Sequence, residues 1–170
     1  QFYAGETTLT FFSQMAGIAL HSYLSAAVGL ATGIAVIRGF AARSGDALGA
    51  FWLDLWRSLA YVLIPVTFFA TLLLVSQGTI QSLAAGGGPV ATWAPIKTMG
   101  SVGGGFFNVN SAMPYENPTP FSSFLQALLI VATPAALTYT FGRMVGSRRQ
   151  GWALYGVTLA LFLGGVAIVY

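Results

Sequence analysis

Four stretches of this chain are apolar for long enough to cross a lipid bilayer, and that leaves few folds open to it. They run over about residues 11–37, 58–75, 121–141 and 152–170, the second with an amphipathic lead-in from Ala50. A spanning helix needs roughly 20 mostly apolar residues. Composition agrees: 56% of the chain is hydrophobic and only 6% is charged, where a soluble domain carries about 25% charged residues. Water could not solvate so uncharged a surface, so the expectation is an all-α integral membrane protein, with lipid as its neighbour. The net charge of +3 comes from seven Lys/Arg and four Asp/Glu. These positives are too few and too segregated to build a phosphate-binding face, which argues against nucleic acid. With no cysteine, a disulfide framework, thiolate chemistry and cysteine metal sites are excluded. The chain opens at Gln1 without a signal-peptide pattern and ends inside an apolar run at Val169-Tyr170. Both ends suggest a piece of a longer polytopic protein.

The basic residues indicate orientation. Arg38, Arg43 and Arg57 fall between the first two spans, and Arg143, Arg148 and Arg149 between the last two, while the connection between the second and third has only Lys97. By the positive-inside rule, 38–57 and 143–151 are cytoplasmic and 76–118 faces outward. Trp52, Trp56 and Trp152 sit beside the basic clusters, where an interfacial aromatic belt is expected.

The 76–118 segment reads as more than a loop. Gly86-Gly87-Gly88 is a flexible break, and Pro89 suits a first helical position. The pattern predicts a short helix over about 89–99. At 1.5 Å per residue it reaches only about 16 Å, against a hydrocarbon core of about 30 Å, so it dips in and returns. A glycine-rich loop follows at 100–105, and Asn117-Pro118-Thr119-Pro120 then starts the next helix.

Irregular backbone at membrane depth is tolerated where it is buried in protein or lines a water-filled path. Glycines let successive carbonyls take up conformations closed to other residues. A column of such carbonyls replaces the hydration shell of potassium in the Thr-Val-Gly-Tyr-Gly filter of potassium channels. Ser101-Val102-Gly103-Gly104-Gly105 resembles that filter position by position. The backbone carbonyls of Ser101, Val102, Gly103 and Gly104 are therefore the candidate potassium ligands. The short helix ahead of them aims its negative end inward. A plain glycine-rich turn with no ion is the competing reading.

Other polar residues carry two readings each. Gly105, Asn108 and Asn110 are expected to support the filter, the asparagines by hydrogen bonds or simply as turn residues. Glu116 either adds negative potential to an outer vestibule or is a carboxylate near a helix N-terminus, and Glu6 is read the same way. Asp54 and Arg57, three apart, are expected to pair as an anchor. Lys97 either repels or regulates ions, or pairs with a carboxylate outside this stretch of chain. His21 is read as an interhelical hydrogen-bonding group rather than a proton relay. Pro65 and Pro134 are expected to kink their helices. A faint repeat links Glu6…Phe12-Ser13-Gln14 with Glu116…Phe124-Leu125-Gln126, and Arg38/Arg43 with Arg143/Arg148.

Several runs carry a family resemblance: Gly5-Glu6-Thr7-Thr8-Leu9, Phe12-Ser13-Gln14-Met15-Ala16-Gly17, Gly103-Gly104-Gly105-Phe106-Phe107-Asn108, Asn110-Ser111, Glu116-Asn117-Pro118-Thr119 and Arg148-Arg149-Gln150-Gly151. Together they resemble the potassium-binding A-subunit family of Kdp-type potassium-transporting ATPases, over essentially the whole chain. The resemblance implies four helix–pore loop–helix repeats, related to potassium channels and Trk/Ktr-type transporters, whose four unequal loops form one filter. On that pattern 1–45 ends the first repeat, 46–146 is the second and 147–170 starts the third, with Gly103 as the central glycine of the second filter loop. It also implies a bacterial inner-membrane complex. A P-type ATPase subunit there hydrolyses ATP with magnesium, two small accessory subunits assist, and this non-catalytic subunit supplies potassium entry and a tunnel toward the ATPase. The chain departs from the family pattern at Ser101-Val102, where Thr-Asn is usual, at Met113, where a His commonly precedes the proline, and at Pro95, expected to interrupt the short helix. A stand-alone channel or Trk/Ktr-like transporter shares the loop logic without an ATPase partner. A membrane scaffold with no ion site is the remaining reading, and nothing in the chain favours an enzyme, the Gly-Lys-Ser/Thr of a nucleotide loop being absent.

Overall fold

The structure, a computed structural model, describes residues 5–42, 49–82 and 87–169. Every regular element in these residues is helical. Four helices are long and apolar enough to cross a membrane: Ser13–Ala41, Phe51–Ser76, Pro120–Met144 and Arg148–Val169. They match the four predicted runs, lengthened at their polar ends. The second absorbs its amphipathic lead-in, because a π-helical stretch at Ser58–Leu63 carries the chain without a break into Pro65. Proline has no N–H and its ring collides with the carbonyl four residues back. The wider turn, in which Ile64 N–H donates to Leu59 O, lets the helix run up to that proline. A second π-helical stretch opens the first span at Ser13–Ala19. The third span runs through Pro134 as one helix.

Where the third span begins, Thr119 and Ser122 form a reciprocal capping box with Pro120 in the first turn, as the Asn-Pro-Thr-Pro pattern foretells. Thr119 Oγ1 also donates to Gln77 Oε1 at 3.0 Å, joining the end of the second span to the start of the third. Tyr23 and Thr67 share a hydroxyl–hydroxyl bond of 2.6 Å between the first and second spans. At their other ends Arg38 holds Asp54, with Nη2 donating to Oδ1 at 3.0 Å. The expected Asp54–Arg57 pair gives way to this one. A bidentate guanidinium from the neighbouring helix meets the carboxylate better than a residue three along the same helix. His21 is exposed on the first span, and among the described residues it makes no interhelical hydrogen bond.

The short helix, Val90–Gly100, sits in the middle of the fold. Pro89 caps it from outside rather than occupying its first turn, and the helix continues through Pro95 without interruption. Its start is level with the end of the second span and the start of the third, where Ala91 N–H donates to Ile80 O and Ile80 N–H to Tyr115 O. Its end is deep, because Met99 O accepts from Thr133 Oγ1, thirteen residues and so roughly 20 Å along the third span. The chain then returns to Tyr115 at the level it left. One core cluster, including Ala27, Leu63, Leu74, Ala94 and Leu129, encloses this helix on three sides, and a second gathers Val90, Trp93, Phe106 and Phe107. Small residues at these contacts let the backbones approach closely. The fourth span touches the rest mainly at its first turns, where Gly151 meets Gly142, and its later residues are exposed.

Candidate functional site

The glycine loop starts where the short helix ends. Ser101 takes a left-handed conformation with φ +50°, its N–H donating to Thr98 O at 3.2 Å, and Val102 N–H donates to Lys97 O at 3.3 Å. This is a Schellman-type end, in which the left-handed position usually falls to glycine. Gly103, Gly104 and Gly105 follow with φ of +72°, +77° and +131°. Three successive residues in this region are closed to ordinary side chains. Asn108, Asn110 and Ser111 also have positive φ, which asparagine tolerates better than most.

The loop has two sides. Ser101, Val102 and Gly103 are exposed, whereas Gly104 through Phe107 are buried. Among the described residues no donor reaches the carbonyls of Ser101, Val102 or Gly103. Gly104 differs from these three, although the filter pattern grouped it with them. Its carbonyl accepts from Asn110 N–H at 3.2 Å and from Lys97 Nζ at 3.0 Å. Its own N–H donates to Asn110 Oδ1. Asn110 thereby clamps the loop, and Asn108 N–H closes a turn onto Gly105 O at 3.1 Å.

Behind the loop lies an ion pair. Lys97 Nζ is 2.7 Å from Glu116 Oε2, with both side chains almost completely buried. Glu116 also accepts from Ser111 N–H at 2.9 Å and Phe107 N–H at 3.4 Å. Glu116 thus lies within the protein rather than on an open vestibule, and the Lys97 partner is in this chain. A buried carboxylate requires such partners. Burial pulls the Lys97 ammonium below the ordinary lysine range, and Glu116 opposes that pull. The pair lies against Gly105, where an added Cβ would sit 2.5 Å from Lys97 Nζ and 2.6 Å from Glu116 Oε1. Gln126 completes the network: its Nε2 donates to Glu116 O at 3.1 Å, and its Oε1 accepts from Ser111 Oγ. Ser111 falls in the Asn110-Ser111 run and Gln126 in the repeated Phe-x-Gln at 124–126, but neither run marks them as site residues; Gln14, the counterpart of Gln126, is also buried.

Ser101 and Gly103 open onto a cavity of about 420 Å³ of mixed character, lined also by Asn110, Asn117, Ser123 and Gln126. Lys97, Ala127 and Ile130 line it too, so hydroxyl and amide groups share its wall with an ammonium and with apolar surface, and no thiol or imidazole is among them.

The family model described as the potassium-transporting ATPase A subunit matches residues 1–170. Relatives named potassium-transporting ATPase potassium-binding subunit include those of Methylobacterium nodulans, 50% identical over 100% of this chain and 32% of its own length, and of Geobacter sulfurreducens, 44% identical over 99% and 36%. That of Solibacter usitatus is 46% identical over 100% and 32%. The chain therefore spans about a third of the length of the curated relatives it matches. Matched from end to end, the triple-glycine loop included, the chain belongs to the potassium-transporting ATPase A-subunit family.

Proposed function

We propose that this chain is the part of a potassium-binding subunit that contributes one of several loops to a potassium-selective filter. The observation that carries this is the exposed run Ser101, Val102 and Gly103 at the end of a buried short helix, whose carbonyls accept no hydrogen bond among the described residues. Carbonyl oxygens presented in this way can stand in for the water around a potassium ion. The helix brings its partial negative end to the same depth, which favours a cation. One loop cannot surround an ion, so the site is completed only in the full-length protein. The repeat reading supplies the other loops: 1–45, 46–146 and 147–170 are successive portions of helix–loop–helix units of the potassium-channel and Trk type.

The names of the relatives support a place in an ATP-driven complex of a bacterial inner membrane. There this subunit accepts potassium at its outer side and passes it toward a P-type ATPase subunit that uses ATP and magnesium, beside small accessory subunits. The charge asymmetry supports 76–118 on the outer side. The test is potassium uptake by the full-length protein with its partners. At Gly103 φ is +72° and an added Cβ would sit 3.1 Å from Asn110 Oδ1. Gly103→Asp should raise the half-saturating potassium concentration by about tenfold or more, each tenfold being about 1.4 kcal/mol. Unchanged affinity and ion selectivity would remove the assignment, and absence of a co-purifying ATPase would favour a stand-alone channel or transporter.

A further inference from the structure

A carbonyl oxygen has two lone pairs, and at Gly104 both already face donors. One meets Asn110 N–H at 3.2 Å, the other Lys97 Nζ at 3.0 Å. An oxygen held by an ammonium cannot coordinate a second cation, because the lone pair is taken and the two positive charges repel. Among the described residues, the neighbouring carbonyls of Ser101, Val102 and Gly103 meet no such donor. We propose that Lys97 is a positioning and specificity-determining residue, which withdraws the Gly104 carbonyl from the ion path and leaves this loop only the oxygens of Ser101, Val102 and Gly103. This rests on the proposed function and narrows it.

The surroundings are built for this task. Lys97 is four residues before Ser101, so the capped end of the short helix fixes its reach. Glu116 neutralises it at 2.7 Å and also ties down the N–H groups of Ser111 and Phe107. Gly105 leaves room for the ammonium, since any Cβ there would overlap it. The consequence concerns throughput. Conduction through a carbonyl column depends on adjacent sites that exchange ions by knock-on. Removing one oxygen on this side breaks that adjacency and favours holding an ion over passing many, which suits a subunit that delivers ions to a pump.

The direct test is a structure of the intact complex in saturating rubidium. The expected result is ion density against the carbonyls of Ser101 to Gly103 and none coordinated by Gly104. Rubidium coordinated by the Gly104 carbonyl overturns the role of Lys97 while leaving the filter assignment intact. No ion anywhere on the loop removes the assignment and this inference with it. In the complex, the double substitution Lys97→Met with Glu116→Gln leaves neither charge buried alone. Its expected effect is a loss of about tenfold or more in potassium-over-sodium discrimination with assembly retained. An assembled double variant that discriminates like the wild type overturns the proposal.

Discussion

Glu116 and Lys97 are 1% and 3% exposed, and each is tolerable there only because of the other. Breaking a buried pair by removing one partner leaves an uncompensated charge and costs about 3–5 kcal/mol. Glu116→Gln alone should therefore lower the thermal stability of the full-length protein more than the Lys97→Met, Glu116→Gln double substitution does. Melting curves of the two variants check the order, and a double variant no better than the single one would contradict it. Gly105→Ala should be destabilising by about 1–3 kcal/mol, as overpacking is, because its methyl group would fall on the same ion pair. None of this can be read from a local pattern. Lys97 and Glu116 are 19 residues apart, and Arg38 and Asp54 are 16 apart. Sequence shows that both charges of such a pair exist, but which charge meets which depends on how the helices pack. The three glycines were legible because a filter-like run restricts the backbone itself.

Among the elements, helix ends and helix contacts are under different controls. The third span starts where its capping residues say it should, since Thr119, Pro120 and Ser122 act within one turn. Thr119→Ala should cost about 1 kcal/mol, as loss of a cap does. The turn into the fourth span depends instead on a close approach. A Cβ at Gly142 would lie 2.8 Å from Gly151 Cα, backbone against backbone. Gly142→Leu should then force the third and fourth spans apart and cost about 1–3 kcal/mol. Gly156→Ala, with nothing within 4 Å, should leave the melting temperature unchanged. In the second span the helix stays continuous up to Pro65 through the π-helical stretch ahead of it. Pro95 is likewise contained within its helix. A proline's missing donor is a local fact, whereas the adjustment that accommodates it belongs to the whole helix and its neighbours.

For the whole molecule, the side of the membrane on which each loop lies is the largest remaining proposal. In a cysteine-free full-length background, Ala112→Cys should react with a membrane-impermeant thiol reagent added outside intact cells, and Gln150→Cys only after the membrane is opened. The reverse pattern would invert the orientation read from the arginines. Sequence by itself determined the four spans, the short helix that cannot cross and the glycine loop after it. Each follows from length, apolar run or backbone freedom, properties that act over a few turns of chain. Tertiary structure alone decided what lies behind the loop. It brought Lys97, Asn110, Ser111, Glu116 and Gln126 together from separate elements and turned the Gly104 carbonyl toward an ammonium. It left Ser101, Val102 and Gly103 exposed, with Ser101 and Gly103 lining a cavity. The reason is that a buried charge or carbonyl takes whichever partner the packing delivers, and packing distances are not written in sequence spacing.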